Sequence, residues 1–311
     1  CPGSEPFDPS NLENVYHYKA IPNVVTSLEF ERILSASGPT MGHLKKPSDG
    51  QEPKKIVWLQ CVGSRDTNQC GNGYCSSVCC MYATKEAMIA KEHIHGDLDT
   101  VIFNMDMRTF GKDYEKYYNR AKDKDGVRFV KARIHTINEV PETGDLIVKF
   151  ADETGAMQEE IFNMVVLSVG VIPPKDLAKI SSLLTLSKTS DGFFMESHPK
   201  LKPVDAPTRG VHFAGFCEAP KDIKDSVCQA GAAASRAGAL LNAGRIQIEA
   251  ITSLHGVDAE IIEYVVSANT LLTRKPLRSV NFPKHALIGG VVRGEESIIP
   301  DGSFQLQEGD K

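Results

Sequence analysis

Cys70, Cys75, Cys79 and Cys80 lie within residues 70–80 (CGNGYCSSVCC), and Cys61 stands just upstream. The other three of the eight cysteines, Cys1, Cys217 and Cys228, are scattered. A secreted disulfide scaffold would be short and evenly studded with cysteine, so that class is excluded first. Cys79 and Cys80, as direct neighbours, poorly suit the geometry of a mutual disulfide. Two adjacent thiolates, with a third one helical turn earlier, can instead face one soft metal centre. Iron–sulfur clusters take four thiolates and structural zinc takes four tetrahedral ligands. The spacing is neither a two-knuckle zinc pattern nor the ferredoxin run of paired short gaps. The plain alternative is a set of inert cysteines packed as small hydrophobes.

These residues need a frame to hold them. Residues 27–35 (SLEFERILS) place Leu28, Phe30, Ile33 and Leu34 at helical spacing, and a Pro-, Gly- and Lys-rich linker follows over 42–53. Residues 55–60 (KIVWLQ) read as a strand, 76–92 as a helix, 100–105 as a strand and 114–122 as a charged helix. One strand is expected over 127–134, a hairpin over 145–150 and 160–162 about Thr154 and Gly155, and a buried strand over 163–170. Strand–helix–strand, then a meander, then a buried strand ending in Gly is the rhythm of an α/β nucleotide domain. A dinucleotide site would want G-x-G-x-x-G at the first strand–helix junction. Gly63, Gly71 and Gly73 stand there among cysteines, so the module keeps a Rossmann-like frame and is expected not to bind NAD(P). Further on, residues 211–215 (VHFAG) read as a strand ending in Gly that feeds an Ala-rich helix over 225–241, a general seat for anions. Past about Gln247 the pattern turns β-rich, with strands expected over 260–266, 287–293 and 297–300. A domain boundary is placed near Asn242–Arg245.

The chain has 311 residues, 35 basic and 40 acidic, for a net charge of −5. That balance argues against a nucleic-acid partner, which needs a basic face. No apolar run approaches the ~20 residues that cross a bilayer, no signal peptide is visible, and a cytoplasmic location without membrane insertion is expected. The chain begins at Cys1 without Met and reads as a fragment. His93 and His95 are expected on an exposed helix end. Neither these nor His198, His212 and His255 have ligand-like partners at good spacing.

The segments CVGSRD (61–66), YCSSVCCMYA (74–83) and DMRTFG (106–111) resemble the A subunits of heterodisulfide reductases and of related quinone-linked oxidoreductases. EPFDP (5–9), SLEFE (27–31) and APKDIKDSV (219–227) resemble the same family, and the likeness covers about residues 1–243. It implies a thioredoxin-reductase-like, Rossmann-type flavoprotein fold with FAD and an added [4Fe-4S] cluster. Cys61, Cys75, Cys79 and Cys80 would be its ligands, with Cys70 an extra candidate because the loop after Cys61 is one residue longer than usual. Gly215, Phe216, Lys221, Asp222, Ile223, Ser226 and Gln229 would be what remains of the FAD contacts. The family's N-terminal FAD half and ferredoxin domains have no counterpart here. Phe216 and Cys217 stand where an Asp would contact the ribityl chain, so that contact does not carry over. Residues 247–311 resemble the C-terminal regulatory domain of potassium-uptake TrkA proteins.

The resemblance implies an FAD-domain remnant over 1–44, a pseudo-NAD domain with the cysteines over 45–175, the C-terminal part of the FAD domain over 176–245 and a TrkA-C-like domain over 246–311. The implied function is that of an oxidoreductase subunit passing electrons between FAD and the cluster. Its expected partners are other heterodisulfide-reductase-type iron–sulfur subunits, or a hydrogenase- or quinone-linked donor, and it is expected to form a homo-oligomer. The alternatives are a regulator of potassium uptake with a degraded nucleotide-binding domain, and a structural zinc protein. Arg65 and Lys85 could offset the negative charge of a thiolate-bound cluster, though solvated surface charge is the simpler reading of both.

Overall fold

The computed structural model describes residues 3–11, 15–94, 96–242, 247–253, 260–268, 270–282 and 285–311. Its contacts divide the chain into two compact units, Cys1–Ala230 and Gly231–Lys311. The boundary read near Asn242–Arg245 falls largely outside the described residues.

In the first unit the elements run β1 (Glu5–Pro6), β2 (Val24–Thr26), α1 (Ser27–Leu34), β3 (Lys55–Val62), α2 (Cys79–His93), β4 (Asp99–Asn104), α3 (Tyr114–Asp123), β5 (Arg128–Lys131), β6 (Ile134–Glu139), β7 (Leu146–Ala151), β8 (Met157–Phe162), β9 (Met164–Val169), β10 (Val171–Ile172), α4 (Leu177–Leu184) and α5 (Ile223–Asn242). A five-stranded parallel sheet has the order β2-β9-β3-β4-β5, and β6-β7-β8 form an antiparallel meander. Alternation along β3 explains the layering. Ile56 and Trp58 face one side with Phe30, Ala83, Ala87 and Ala121 of the three helices. Val57 and Leu59 face the other with Ile137, Leu146, Val148 and Phe162 of the meander. Both faces are covered, as parallel sheets require, and the strands accordingly read as continuous apolar runs. Trp58 has no exposed surface, which contributes roughly 2–3 kcal/mol of apolar burial. Thr26 caps α1 through a full capping box with Glu29.

The α/β frame matches the sequence reading, with local corrections. The helix expected from Ser76 begins only at Cys79, because Ser77 is left-handed at φ +60° and cannot enter a helix. The single strand expected over 127–134 is two, β5 and β6, parted at Ala132 and Arg133, so that the chain leaves the sheet for the meander. Residues 211–215 form no strand. One isolated bridge, Asp205 to His212, precedes a 3-10 turn over Gly215–Cys217, and a small core of Leu177, Leu186, Phe194, Ala206, Phe213 and Cys217 holds the segment.

The second unit carries the remainder of α5, the hairpin β11 (Gln247–Ser253) and β12 (Glu260–Val265), the short α6 (Leu271–Arg274), and the hairpin β13 (Val291–Arg293) and β14 (Glu296–Ile298). Val266, Val291 and Leu306 form its core, and buried Asp310 receives two charge-assisted bonds from Arg293.

Candidate metal centre and cofactor face

The sheet order places β3 between β9 and β4, so the strand order reverses direction beside β3, where open α/β sheets bind ligands at the carboxyl ends of the strands. The cysteine loop occupies this crevice. Between Leu59 and Val62 the register of β3 against β9 slips by one residue, and within this bulge Cys61 is left-handed at φ +63°. A bulge re-aims side chains, and a non-glycine residue in that conformation costs about 1–2 kcal/mol. The strand thus turns the Cys61 side chain out of its pleat. The chain then doubles back as a narrow loop: Arg65 N–H donates to the Tyr74 carbonyl and Asp66 N–H to that of Asn72, both at 2.9 Å. Cys75 follows, with its Sγ accepting from Ser77 N–H at 3.3 Å.

Cys79 and Cys80 are the first two residues of the 15-residue α2, whose N-cap, Val78, offers no side-chain acceptor. The positive end of the helix dipole therefore meets sulfur, which favours thiolate or an anionic cluster. Closure comes from β9: the Val169 carbonyl accepts from the Tyr82 hydroxyl at 2.7 Å and lies 3.7 Å from Cys79 Sγ. Ser76 is fully buried and its Oγ accepts from Val171 N–H at 2.9 Å. Burial pushes the Cys79 thiol up to about 12 and the Cys80 thiol up to about 11, and also raises Cys61, where Arg65 opposes it. Without metal these three groups hold their protons, so ligation must displace them.

Cys61 at the end of β3, Cys75 in the loop and Cys79 and Cys80 at the start of α2 thus share one strand–helix junction. Yet among the described residues no three Cys, His, Asp or Glu side chains close on a single ion. Tetrahedral zinc with ~2.3 Å bonds holds its sulfurs within about 4 Å of each other. Four thiols gathered at one strand–helix junction are a donor set that an iron–sulfur cluster or a tetrahedral zinc ion could take. Cys70 Sγ donates to the Asp66 carbonyl at 3.1 Å, and Cys70 shares with Cys61 a small cavity of about 30 Å³.

On the sequence Arg65 and Lys85 read alike, and the structure separates them. Lys85 pairs with Glu31 where both are half exposed. Arg65 is left-handed at φ +54°, its side chain is only 21% exposed, and its guanidinium forks onto Asp106 while facing Cys61. The signal in the sequence is an Arg four residues after a candidate ligand, with an Asp at the end of the neighbouring strand. His93 also departs from expectation. Its Nδ1 lies 2.7 Å from the Gly42 carbonyl, part-buried, because the linker folds over the end of α2. His95 and His255 lie outside the described residues.

The expected FAD contacts gather where Gly215, at φ +77°, approaches the start of α5. Gly215 N–H donates to Gln229 Oε1 at 2.7 Å, and Lys221 Nζ donates to the same oxygen at 2.8 Å and also pairs with Glu218. Asp222 caps α5 by accepting from Asp225 N–H at 2.7 Å, and Ser226 Oγ donates to the Asp222 carbonyl. Phe216 is partly buried, while Ile223 is 84% exposed. The donors of this segment are bonded to acceptors within it.

The second of two iron–sulfur A subunits of CoB–CoM heterodisulfide reductase in Methanopyrus kandleri is 47% identical over 260 residues, covering 83% of this chain and 39% of that protein. Over most of its length the chain is a relative of the heterodisulfide reductase A subunits. In Methanothermobacter thermautotrophicus, the A subunit of the H2:CoB-CoM heterodisulfide,ferredoxin reductase is 44% identical over 258 residues, 82% of this chain and 38% of that protein. The chain thus spans about two fifths of the length of these heterodisulfide reductase subunits. The TrkA-C domain family matches residues 261–311, as the tail's resemblance implied. Among solved structures, thioredoxin reductase of T. acidophilum matches 77% of this chain and 64% of its own at 13% identity and a TM-score of 0.47, a distant likeness. No helix of the described residues is long and apolar enough to cross a membrane.

Proposed function

We propose that the first unit is the electron-transfer module of a heterodisulfide-reductase-type oxidoreductase, with Cys61, Cys75, Cys79 and Cys80 as ligands of one [4Fe-4S] cluster. The observation that carries this reading is the gathering of four cysteines at the junction of β3 and α2, two of them opening a helix without a side-chain cap. Bound there, a cluster would supply one-electron redox chemistry. The chain's own residues hold the thiolates by the bulge at Cys61 and the turn at Ser77, and offset their charge with the helix dipole and Arg65. Ser76, Tyr82 and the end of β9 restrict water. Gly215, Phe216, Lys221, Asp222, Ile223, Ser226 and Gln229 form one wall of an FAD site that another segment completes. The partners are iron–sulfur subunits of the same kind of complex, in the cytoplasm. The potassium-uptake reading is not favoured, because the TrkA-C match is confined to the tail while the oxidoreductase likeness spans most of the chain.

The test is iron and sulfide content after anaerobic reconstitution of the full chain. Cys79→Ser removes most of both, since Cys79 faces the other three ligands. Unchanged iron and sulfide in that variant would rule out the assignment.

A further inference from the structure

Two arginines and one aspartate stand over the cysteine site. Asp106, at the carboxyl end of β4, receives the Arg65 fork through both of its oxygens, Nη2 lying 3.4 Å from Oδ2, and Arg108 approaches at 3.5 Å. The Asp106 carbonyl is itself 4.0 Å from Cys80 Sγ. Arg65 is further fixed from its backbone, since its N–H is bonded to the Tyr74 carbonyl next to Cys75. One residue thus ties together the loop leaving Cys61, the segment entering Cys75 and the strand end beside Cys80. Other cations nearby lack this placement. Arg133 pairs with Asp66 and is 63% exposed, and the Arg108 side chain reaches Asp106 while it is the Arg108 backbone that lies against Cys80.

We infer that Arg65 is a positioning residue that sets the reduction potential of the cluster held by Cys61, Cys75, Cys79 and Cys80. The inference rests on the cluster reading above. Reduction of a four-thiolate cluster adds one negative charge to a site that is already anionic. A fixed cation within its shell favours the reduced form, because the charge it opposes grows by one unit on electron arrival. Asp106 does not cancel the effect. At Cys61 the influence of Arg65 exceeds that of Asp106, and the Asp106 carboxylate aims the planar Arg65 fork in a way that an ammonium cannot reproduce.

The experiment uses the full chain, reconstituted anaerobically with iron and sulfide, as wild type, Arg65→Gln, Arg65→Lys and Arg108→Gln. Iron and sulfide are counted per chain, and the midpoint potential is read by EPR-monitored titration. Arg65→Gln is expected to keep its cluster while the reduced-to-oxidised ratio at a fixed potential drops at least tenfold, a shift of about 59 mV for a one-electron couple. Arg65→Lys is expected to fall between Gln and wild type, and Arg108→Gln to stay within threefold of wild type. An unmoved potential in a fully loaded Arg65→Gln protein overturns the inference. If that variant fails to load, an unmoved potential in Arg65→Lys overturns it equally. A wild-type chain that takes up no iron refutes the cluster reading and this inference with it. A loaded wild type with unmoved variants refutes this inference alone.

Discussion

Trp58 and Glu86 meet inside the helix-covered face of the sheet, where the indole Nε1 donates to Glu86 Oε2 at 2.9 Å. Burial pushes the Glu86 carboxyl from 4.5 up to about 8, and the indole bond opposes that rise only in part. The folded chain therefore holds a proton that the unfolded chain releases between those two values. The contribution of this group to stability is full below about pH 4.5 and declines as pH rises towards about 8, with on the order of 5 kcal/mol at stake. Glu86→Gln keeps an acceptor for Trp58 and removes the titration. Urea melts of the two proteins at pH 5 and pH 8 should show the variant gaining on the wild type only at the higher pH, and parallel changes in both would rule out this account. Cys70 gives a second prediction at this scale. Its thiol is engaged with the Asp66 carbonyl, and Asp66 is pinned by Arg133 at 3.0 Å. Cys70→Ser should leave iron content near that of the wild type. A cluster lost in that variant would assign the first ligand to Cys70 instead of Cys61.

At the scale of elements, the end of β9 and the cysteine loop approach until no side chain fits between them. A Cβ on Gly170 would lie 2.5 Å from Ser76 Oγ and 3.0 Å from Ser64 Cβ. Gly170→Ala should cost roughly 1–3 kcal/mol by overpacking, read as a lowered urea midpoint. Gly231→Ala, in open helical space, should be neutral or gain up to about 1 kcal/mol. Equal midpoints for Gly170→Ala and the wild type would show that the loop can yield there. This junction also marks what the sequence made legible. The strands β3, β4 and β9, helix α1, the meander turn and the cysteines as a group could be read because apolar periodicity and residue type are local signals, whereas the three-residue β2 is too short to show a pattern. The bulge that turns Cys61 and the left-handed turns at Arg65 and Ser77 could not, since no glycine marks them and only the packing of β9 against β3 imposes them. The same holds for Val211 to Gly215, where an apolar run with strand propensity finds one bridge partner and no sheet to join. Arg65 does not stand out from other surface cations in the sequence because its partner, Asp106, is brought to it by the sheet and not by the local chain.

At the scale of the molecule, the residues proposed as one wall of a flavin site have their donors bonded within the segment, with Ile223 84% and Val227 66% exposed beside them. A dinucleotide is held by many contacts, and one wall offers too few to offset the cost of ordering it. The chain should therefore purify with little FAD, measured as fluorescence of flavin released by heat. Near-stoichiometric flavin would mean that this wall suffices, or that a second copy completes it. The sheet order has a different bearing, on synthesis. β2 pairs only with β9, so Val24 to Thr26 must wait for Val165 to Leu167 before gaining a neighbour. At about 5–20 residues per second, ribosomes take on the order of ten seconds to make the intervening chain. From the moment Cys80 is made, and for the rest of that interval, the cysteine loop is complete while the carbonyl of Val169 that closes over Cys79 and Tyr82 is not. The thiols are thus open to iron donors, and equally to oxidants, while the polypeptide is still growing, and the last parallel strand shuts the door on both.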